Sequence, residues 1–345
     1  MAERTILVRG SGIAAYCCLQ LLQRQGTTVA AGETKLPKLP AILISPSTQK
    51  LLADIFQSKD MFEGLPSIQK RIVAWGAGAG GSCEPVVLPH SAIVASEQVL
   101  LERLKERTTG VTQAAPIDPA WTIFAGRPAV SLPDERHFGT RMAFVGEVEL
   151  TDEAERDACW VESVDCGWLF LLATGNGRGS LISVGGSTEQ LLEKSRLAAR
   201  QVRKMDGAVA EFAAYPRITS SLCGDGWLAC GTAAMSFDPL CGEGAGNAAR
   251  EAILACAAVQ AILAGESAEE VLAEYSLRLM LGFLRHLENC REFYVRDTSN
   301  AFWSSELGLI EEGIAWTKSQ LNAGSRPRFR LVGFGLERIA AEEGS

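Results

Sequence analysis

The sequence predicts an α/β fold: a layer of β-α-β units, interrupted by an inserted antiparallel sheet and followed by a helical C-terminus. Three observations predict it. Strand, glycine turn, helix and second strand follow one another over residues 5–33. Strand-like segments separated by glycine turns recur at regular spacing from residue 141. A second glycine-rich loop, residues 231–247, runs directly into a long alanine-rich helix.

The opening unit is the most informative. Residues 5–8 are apolar and long enough for a buried strand. Gly10, Ser11, Gly12, Ile13, Ala14 and Ala15 then fit G-x-G-x-x-A. Ala14, Ala15, Cys18, Leu19, Leu21 and Leu22 form a helical stripe that stops at Gly26, and residues 27–31 read as a second strand followed by Glu33. Each part has a physical task in a dinucleotide site. Gly10 permits the tight turn. Gly12 lets backbone approach a pyrophosphate, and Ala15 lets helix and strand pack closely. The first helical N–H groups, over Ile13 and Ala14, hold phosphate charge with the helix dipole. Glu33 follows the first glycine near the ~20-residue spacing of a ribose-binding acid, and an acid there disfavours a ribose 2′-phosphate.

Residues 34–47 read as a loop with Pro37, Pro40 and Pro46, and Ser47 is expected to cap a helix over 49–57. A short strand over 71–75 enters the glycine run 76–81, expected to be a flexible loop beside a ligand. His90, near that run, is the best acid–base candidate of the three histidines. An amphipathic helix is expected over 97–107, a strand over 110–116, and another strand over 121–127 ending in the turn Gly126-Arg127. The inserted sheet is expected from strands over 141–150, 158–164, 168–174 and 180–185. A helix over 188–204 and a short strand over 227–230 follow. In the second loop, Gly231, Thr232, Asp238, Pro239, Gly242, Glu243, Gly244 and Ala245 precede a helix over 248–264. Main-chain N–H groups and a helix end there make a second anion site, suited to charge on a ring carbonyl. Residues 268–289 are helical, and aromatic residues including Trp303 follow. The resulting division is a discontinuous nucleotide layer (1–135 and 215–275), a sheet domain (136–214) and a helical C-terminal region (276–345).

At 345 residues, 47% hydrophobic and 21% charged, the chain supports two intertwined domains with a full core. A net charge of −8 argues against non-specific binding to nucleic acid or anionic membrane. The ten cysteines contain no C-x-x-C and no zinc-like pairing with histidine, so no metal is expected and the thiols read as reduced, as in a cytoplasmic protein. No signal peptide and no apolar run of about 18 residues is found, so no membrane span is expected.

The two glycine stretches together resemble the FAD-dependent monooxygenases of the para-hydroxybenzoate hydroxylase type. The chain is most similar to their tryptophan-halogenase-like branch, which includes maturation flavoproteins of quinone-cofactor enzymes. Four pieces carry the resemblance: residues 10–33, the strand ending at Gly126-Arg127, the aromatic strand Gly167-Trp168-Leu169-Phe170, and residues 227–248. Thr232 stands where the family usually has Asp, and the halogenase signature Trp-x-Trp-x-Ile-Pro is absent. The resemblance implies a Rossmann-like FAD-binding fold with a β-sheet substrate domain. It implies a flavoprotein oxidoreductase that oxygenates an aromatic substrate, small or protein-bound, through a flavin hydroperoxide. No separate nicotinamide fingerprint is found, so NAD(P)H or reduced flavin is expected to bind transiently as reductant. Trp75, Trp168, Phe170 and Trp303 are candidate walls of the substrate pocket. A reductase of the geranylgeranyl-reductase kind and a non-catalytic binding or assembly protein of the same fold remain alternatives.

Overall fold

The computed structural model describes residues 5–32, 39–76, 84–108, 111, 118–127, 134–297, 300–321 and 327–339. In chain order its elements are β1 (Thr5–Arg9), α1 (Ile13–Arg24), β2 (Thr28–Gly32), β3 (Ile42–Ile44), α2 (Pro46–Phe56), β4 (Ser67–Ala74), β5 (Val86–Ala95), α3 (Glu97–Arg107), β6 (Trp121–Phe124), β7 (Glu135–His137), β8 (Met142–Leu150) and β9 (Ala158–Val164). They continue with β10 (Gly167–Gly175), β11 (Arg178–Val184), α4 (Thr188–Lys194), β12 (Val202–Ala213), β13 (Arg217–Thr219), β14 (Cys223–Gly224), β15 (Trp227–Ala229), β16 (Met235–Ser236), α5 (Gly244–Leu263), α6 (Ala268–Tyr294), α7 (Ala301–Gln320), β17 (Phe329–Val332) and β18 (Gly335–Arg338).

The first layer is a five-stranded sheet in the order β14-β15-β6-β1-β2, parallel from β15 to β2. Strand β1 lies between β2 and β6, with Ile6 in register with Val29 and Trp121. Its apolar run Ile6, Leu7 and Val8 is buried, as parallel strands covered by helices require. Helices α1 and α5 meet through small side chains: Cys18 Sγ lies 3.9 Å from the Ala252 carbonyl, and Cys256 Sγ lies 3.7 Å from the Cys18 carbonyl. Alanine and cysteine permit that approach, and both helix N-termini end at one level of the fold.

The second layer is an eight-stranded sheet, β12-β8-β11-β10-β9-β4-β5-β3, antiparallel except where β4 runs parallel to β9. It takes five strands from residues 136–214 and three from residues 42–95. Every residue of β9 and residues 167–173 of β10 are buried, so both faces of these strands are covered; β10 reads as a continuous apolar run, whereas β9 also buries Glu162 and Ser163.

Several expectations are corrected. The helix expected over 188–204 stops at Lys194. The Glu162 carboxylate, on β9, accepts the N–H groups of Arg196 (2.7 Å), Leu197 (3.0 Å) and Ala198 (2.9 Å) and the Ser195 hydroxyl, and the chain then enters β12. Ser45, not Ser47, caps α2, with Pro46 at the first helical position. Residues 86–95 form a strand despite Pro89, because residues 86–89 lie beyond the reach of β3 and their free edge tolerates proline. Helix α5 begins at Gly244, four residues before the expected start. A β17–β18 hairpin follows the helices of the C-terminal region. Glu33, most of the 76–81 glycine run, and all of the 110–116 strand except Val111 lie outside the described residues.

Candidate functional site

Helix ends organise the site. Helices α2, α3, α4, α6 and α7 each begin with a side chain that accepts a hydrogen bond from the first turn: Ser45, Ser96, Ser187, Ser267 and Asn300. Helices α1 and α5 begin at Gly12 and Glu243 without any side-chain cap. Both of those ends open on one cleft of about 340 Å³ between the two sheets, within the range of about 300–1,000 Å³ typical of small-molecule sites. Uncapped helix N-termini concentrate positive potential and unsatisfied N–H donors.

The glycines at these ends divide by what a Cβ would meet. At Gly10, with φ at +145°, a Cβ would lie 2.7 Å from the Gly126 nitrogen, so this glycine is required by the crossing of β1 and the Gly126 turn. At Gly231, with φ at +55°, it would lie 2.8 Å from the Ala14 Cβ. At Gly12 and Gly244 it would meet nothing within 4 Å. Those two glycines leave open space at the two helix ends, and both line the cleft. A Cβ at either would project into that space, which is the form of a phosphate or ring cradle.

The rest of the lining comes from both layers. Phe170, Leu172 and Ile182 supply an apolar wall from the second sheet, with Phe170 paired to Ile182 across β10 and β11. Glu251, on α5, lines the floor and accepts the Gly231 N–H at 2.6 Å. Burial raises its carboxyl from the ordinary value of 4.5 to about 8, against the lowering effects of the Gly231 N–H and of Arg250. It is thus largely protonated at neutral pH, an uncommon state for a carboxyl beside a ligand cleft.

The sequence-predicted residues separate in space. Gly12, Ile13, Ala14, Gly126, Gly231, Thr232, Asp238, Pro239, Gly242, Glu243, Gly244, Ala245 and Phe170 line the cleft together. Gly10 and Ala15 support it from behind. Arg127 is not part of the lining: its guanidinium pairs with Glu135 at 2.8 Å, which also pairs with Arg217. Asp238 lines the cleft, but its carboxylate is committed elsewhere. It accepts Arg141 Nε (3.0 Å) and Nη2 (2.9 Å), the Tyr294 hydroxyl (2.7 Å) and the Leu240 N–H (2.9 Å). Arg141 also pairs with Glu306, which in turn accepts the N–H and hydroxyl of Thr140. This buried network fixes the second glycine loop to β8 and α7. Trp75, Trp168 and Trp303 do not line the cleft either. They pack on one another at centroid distances of 6.4 Å (Trp75–Trp168) and 5.5 Å (Trp75–Trp303), within the core. His90 lies on β5 rather than in a loop, 3.3 Å from Arg71, and outside the lining; burial, then the Arg71 cation, holds it below the ordinary imidazole range.

Sequence reasoning missed Glu251, His286 and Cys241 as lining residues. For Glu251 a signal existed: it shares the apolar face of α5 with Ala255 and Ala258, where a carboxylate is out of place. His286 and Cys241 come together only through the tertiary fold.

No protein-family model and no curated protein matches the sequence. Solved structures match over most of the chain. The peptidyl tryptophan dihydroxylase QhpG, essential for tryptophylquinone cofactor biogenesis, aligns with 88% of this chain and 79% of its own at 19% identity and TM-score 0.73. The myxobacterial chondrochloren halogenase CndH, an FAD-dependent halogenase, aligns over 92% and 90% at 14% identity and TM-score 0.73. A variant of Klebsiella pneumoniae HpxO complexed with FAD aligns over 92% and 97% at 16% identity and TM-score 0.63. The chain has the fold of the flavin-dependent halogenases and monooxygenases.

Proposed function

We propose that this chain is an FAD-dependent oxidoreductase of monooxygenase type, acting on an aromatic substrate that is either a small molecule or part of a protein. One observation carries the reading. Among the described residues, the two α-helices that begin without a side-chain cap are the two whose N-termini meet at the cleft, each with a glycine whose missing Cβ leaves room. A dinucleotide with an anionic end and an electron-accepting ring answers both ends at once.

In this reading Gly12, Ile13 and Ala14 hold the pyrophosphate at the end of α1, and Glu33 takes the adenosine ribose. Gly242, Glu243, Gly244 and Ala245 hold the ring edge, with the α5 dipole stabilising charge on it. Bound there, reduced flavin supplies the oxygen chemistry, and the protein supplies position and dryness. Phe170, Leu172 and Ile182 form the apolar wall against which an aromatic ring packs. Glu251 keeps the Gly231 turn closed on α1 and, as an acid at neutral pH, offers a proton at the cleft floor. QhpG, by its name, acts on a peptidyl tryptophan, which favours a protein-bound aromatic among the substrates to be tried. NAD(P)H is the transient reductant, the nucleotide layer draws on 1–135 and 215–275, the substrate sheet on 136–214 together with the strands of 42–95, and the protein works in the cytoplasm. No helix among the described residues is long and apolar enough to cross a membrane.

The test is the absorbance spectrum of the purified protein, with chromatography of the released ligand, followed by oxygen uptake on reduction in the presence of aromatic substrates. Bound FAD and substrate-dependent oxygen uptake are expected. A chain that binds no FAD after reconstitution overturns the proposal, and flavin reduction without an oxygen-dependent product moves it to the reductase class.

A further inference from the structure

Below the second glycine loop lie three groups that the proposed flavin chemistry does not use. Cys241 sits just before Gly242 on the cleft lining and is partly exposed. His286 and Cys290 stand one turn apart on α6, so they share a face. The Cys241 thiol, a His286 ring nitrogen and the Cys290 thiol all lie within 4.8 Å of one another. Cys290 Sγ is 3.3 Å from His286 Nε2, and Cys290 is fully buried.

We propose that Cys241 and Cys290 form a peroxide-reactive dithiol, with Cys241 as the attacking thiol at the cleft and Cys290 as its resolving partner. The site takes small hydroperoxides that reach the cleft. In the first step the Cys241 thiolate attacks the outer peroxide oxygen, an S–O bond forms as the O–O bond breaks, and the leaving hydroxide or alkoxide takes a proton from solvent, giving a Cys241 sulfenic acid and water or an alcohol. In the second the Cys290 thiol attacks that sulfur, the sulfenic oxygen leaves as water with the Cys290 proton, and a Cys241–Cys290 disulfide remains. Two thiols are oxidised by two electrons and one peroxide is reduced.

Three features support this assignment over a metal site. The Nε2 lone pair of His286 already accepts the Asp238 backbone N–H at 2.8 Å, so binding an ion there breaks a buried hydrogen bond. The two thiols differ in access, one at the cleft and one behind it, as attacking and resolving cysteines do. Finally, the environment separates their acidities. Hydrogen bonding from Cys290, then His286, holds Cys241 below the ordinary thiol range against its burial and the Asp238 charge; burial pushes Cys290 above that range, against the Arg141 cation. Among the described residues the other close thiol pair, Cys18 and Cys230 at 3.9 Å, is fully buried on both sides and lies outside the cleft lining.

The experiment needs no flavin readout. The purified full chain is treated with hydrogen peroxide, quenched with a thiol-blocking reagent and mapped by peptide mass spectrometry. Cys241 is expected to be oxidised about tenfold faster than the partly exposed Cys166 and Cys223, as its greater thiolate fraction outweighs its lower intrinsic nucleophilicity, and the product is a peptide linked to Cys290. In Cys290→Ser the linked peptide disappears and a sulfenic acid at Cys241 is trapped by a dione reagent. Equal oxidation rates at Cys241, Cys166 and Cys223 in the unsubstituted chain overturn the proposal, whatever the variants do. So does a sulfur-to-metal charge-transfer band on adding Co²⁺ that vanishes in Cys241→Ser, because it reassigns the triad as a metal site.

Discussion

The two glycine regions at the cleft do similar things by different means. In each, one glycine is crowded and one is open: Gly10 and Gly12 at α1, Gly231 and Gly244 at α5. In each, a helix begins without a side-chain cap. The first region is built almost entirely from residues adjacent in sequence. The second is held by side chains from distant elements: Arg141 before β8, Glu306 on α7, His286 and Tyr294 on α6, and Glu251 from α5 itself. A local turn can be read from its motif, whereas a loop tethered by a buried charge network can be read only for its glycines. The first should fail through backbone geometry and the second through its tethers.

The largest expected effect is on the tethers. Arg141→Met leaves the Asp238 and Glu306 carboxylates buried without their cation, which costs about 3–5 kcal/mol. Urea unfolding measures it. A loss under about 1 kcal/mol would mean that the loop stands without the network and that the contrast drawn above is wrong.

Next is a pH dependence confined to the second region. Folding raises the Glu251 carboxyl from 4.5 to about 8. The folded chain therefore binds the proton more tightly than the unfolded chain. Its contribution is fully present below pH 4.5, declines as pH rises, and is lost by about pH 8, at up to about 1.4 kcal/mol per pH unit. Glu251→Gln keeps an oxygen for the Gly231 N–H and removes the titration. Melting temperature against pH should therefore be flatter in the variant across that window. Parallel curves would place the carboxyl's ionisation outside it.

The glycines of the first region sharpen the comparison at lower energy. Gly10→Ala forces a Cβ against the Gly126 nitrogen at a positive φ and should cost about 1–3 kcal/mol. Gly12→Val has an ordinary extended backbone, with φ at −93°, and open space around it. It should leave stability within about 0.5 kcal/mol while abolishing FAD binding, seen as a folded, colourless protein. A yellow, folded Gly12→Val protein would make the turn structural only.

The same contrast explains what the sequence disclosed. The first turn, α1, β2, helix α3 and strands β8 to β11 were legible because period, caps and glycine turns are local signals. The helix expected over 188–204 overruns into the start of β12, because its stop comes from Glu162, on another strand, capturing three N–H groups. Strand β5 was missed because Pro89 argues locally against a strand. Asp238 was read as a ligand-facing acid, but its partners Arg141 and Tyr294 lie far away in sequence. The aromatic candidates followed composition, and packing drew Trp75, Trp168 and Trp303 into the core.

Thr232 joins the two regions, and the smallest effect is expected there. Its hydroxyl accepts the Arg127 N–H at 3.1 Å, one residue beyond the glycine that crosses Gly10, and its carbonyl accepts Arg217 Nη2 at 2.7 Å. The side chain is exposed on the cleft lining, so a carboxylate placed there keeps its water and gains the same donor. Thr232→Asp should therefore fold normally. A charged acceptor makes hydrogen bonds of about 1.5–3 kcal/mol against about 1 for a neutral one, so FAD binding should tighten by about 0.5–2 kcal/mol. The nearby helix end favours the added charge. Because the α5 dipole is untouched, affinity should change more than reduction potential. Fluorescence titration of both proteins in one buffer measures the first, and an anaerobic dye equilibrium measures the second. Weaker binding in a folded Thr232→Asp protein would show that the junction is built around a neutral side chain, and that the two glycine regions are matched to each other there through Thr232 rather than through a ligand.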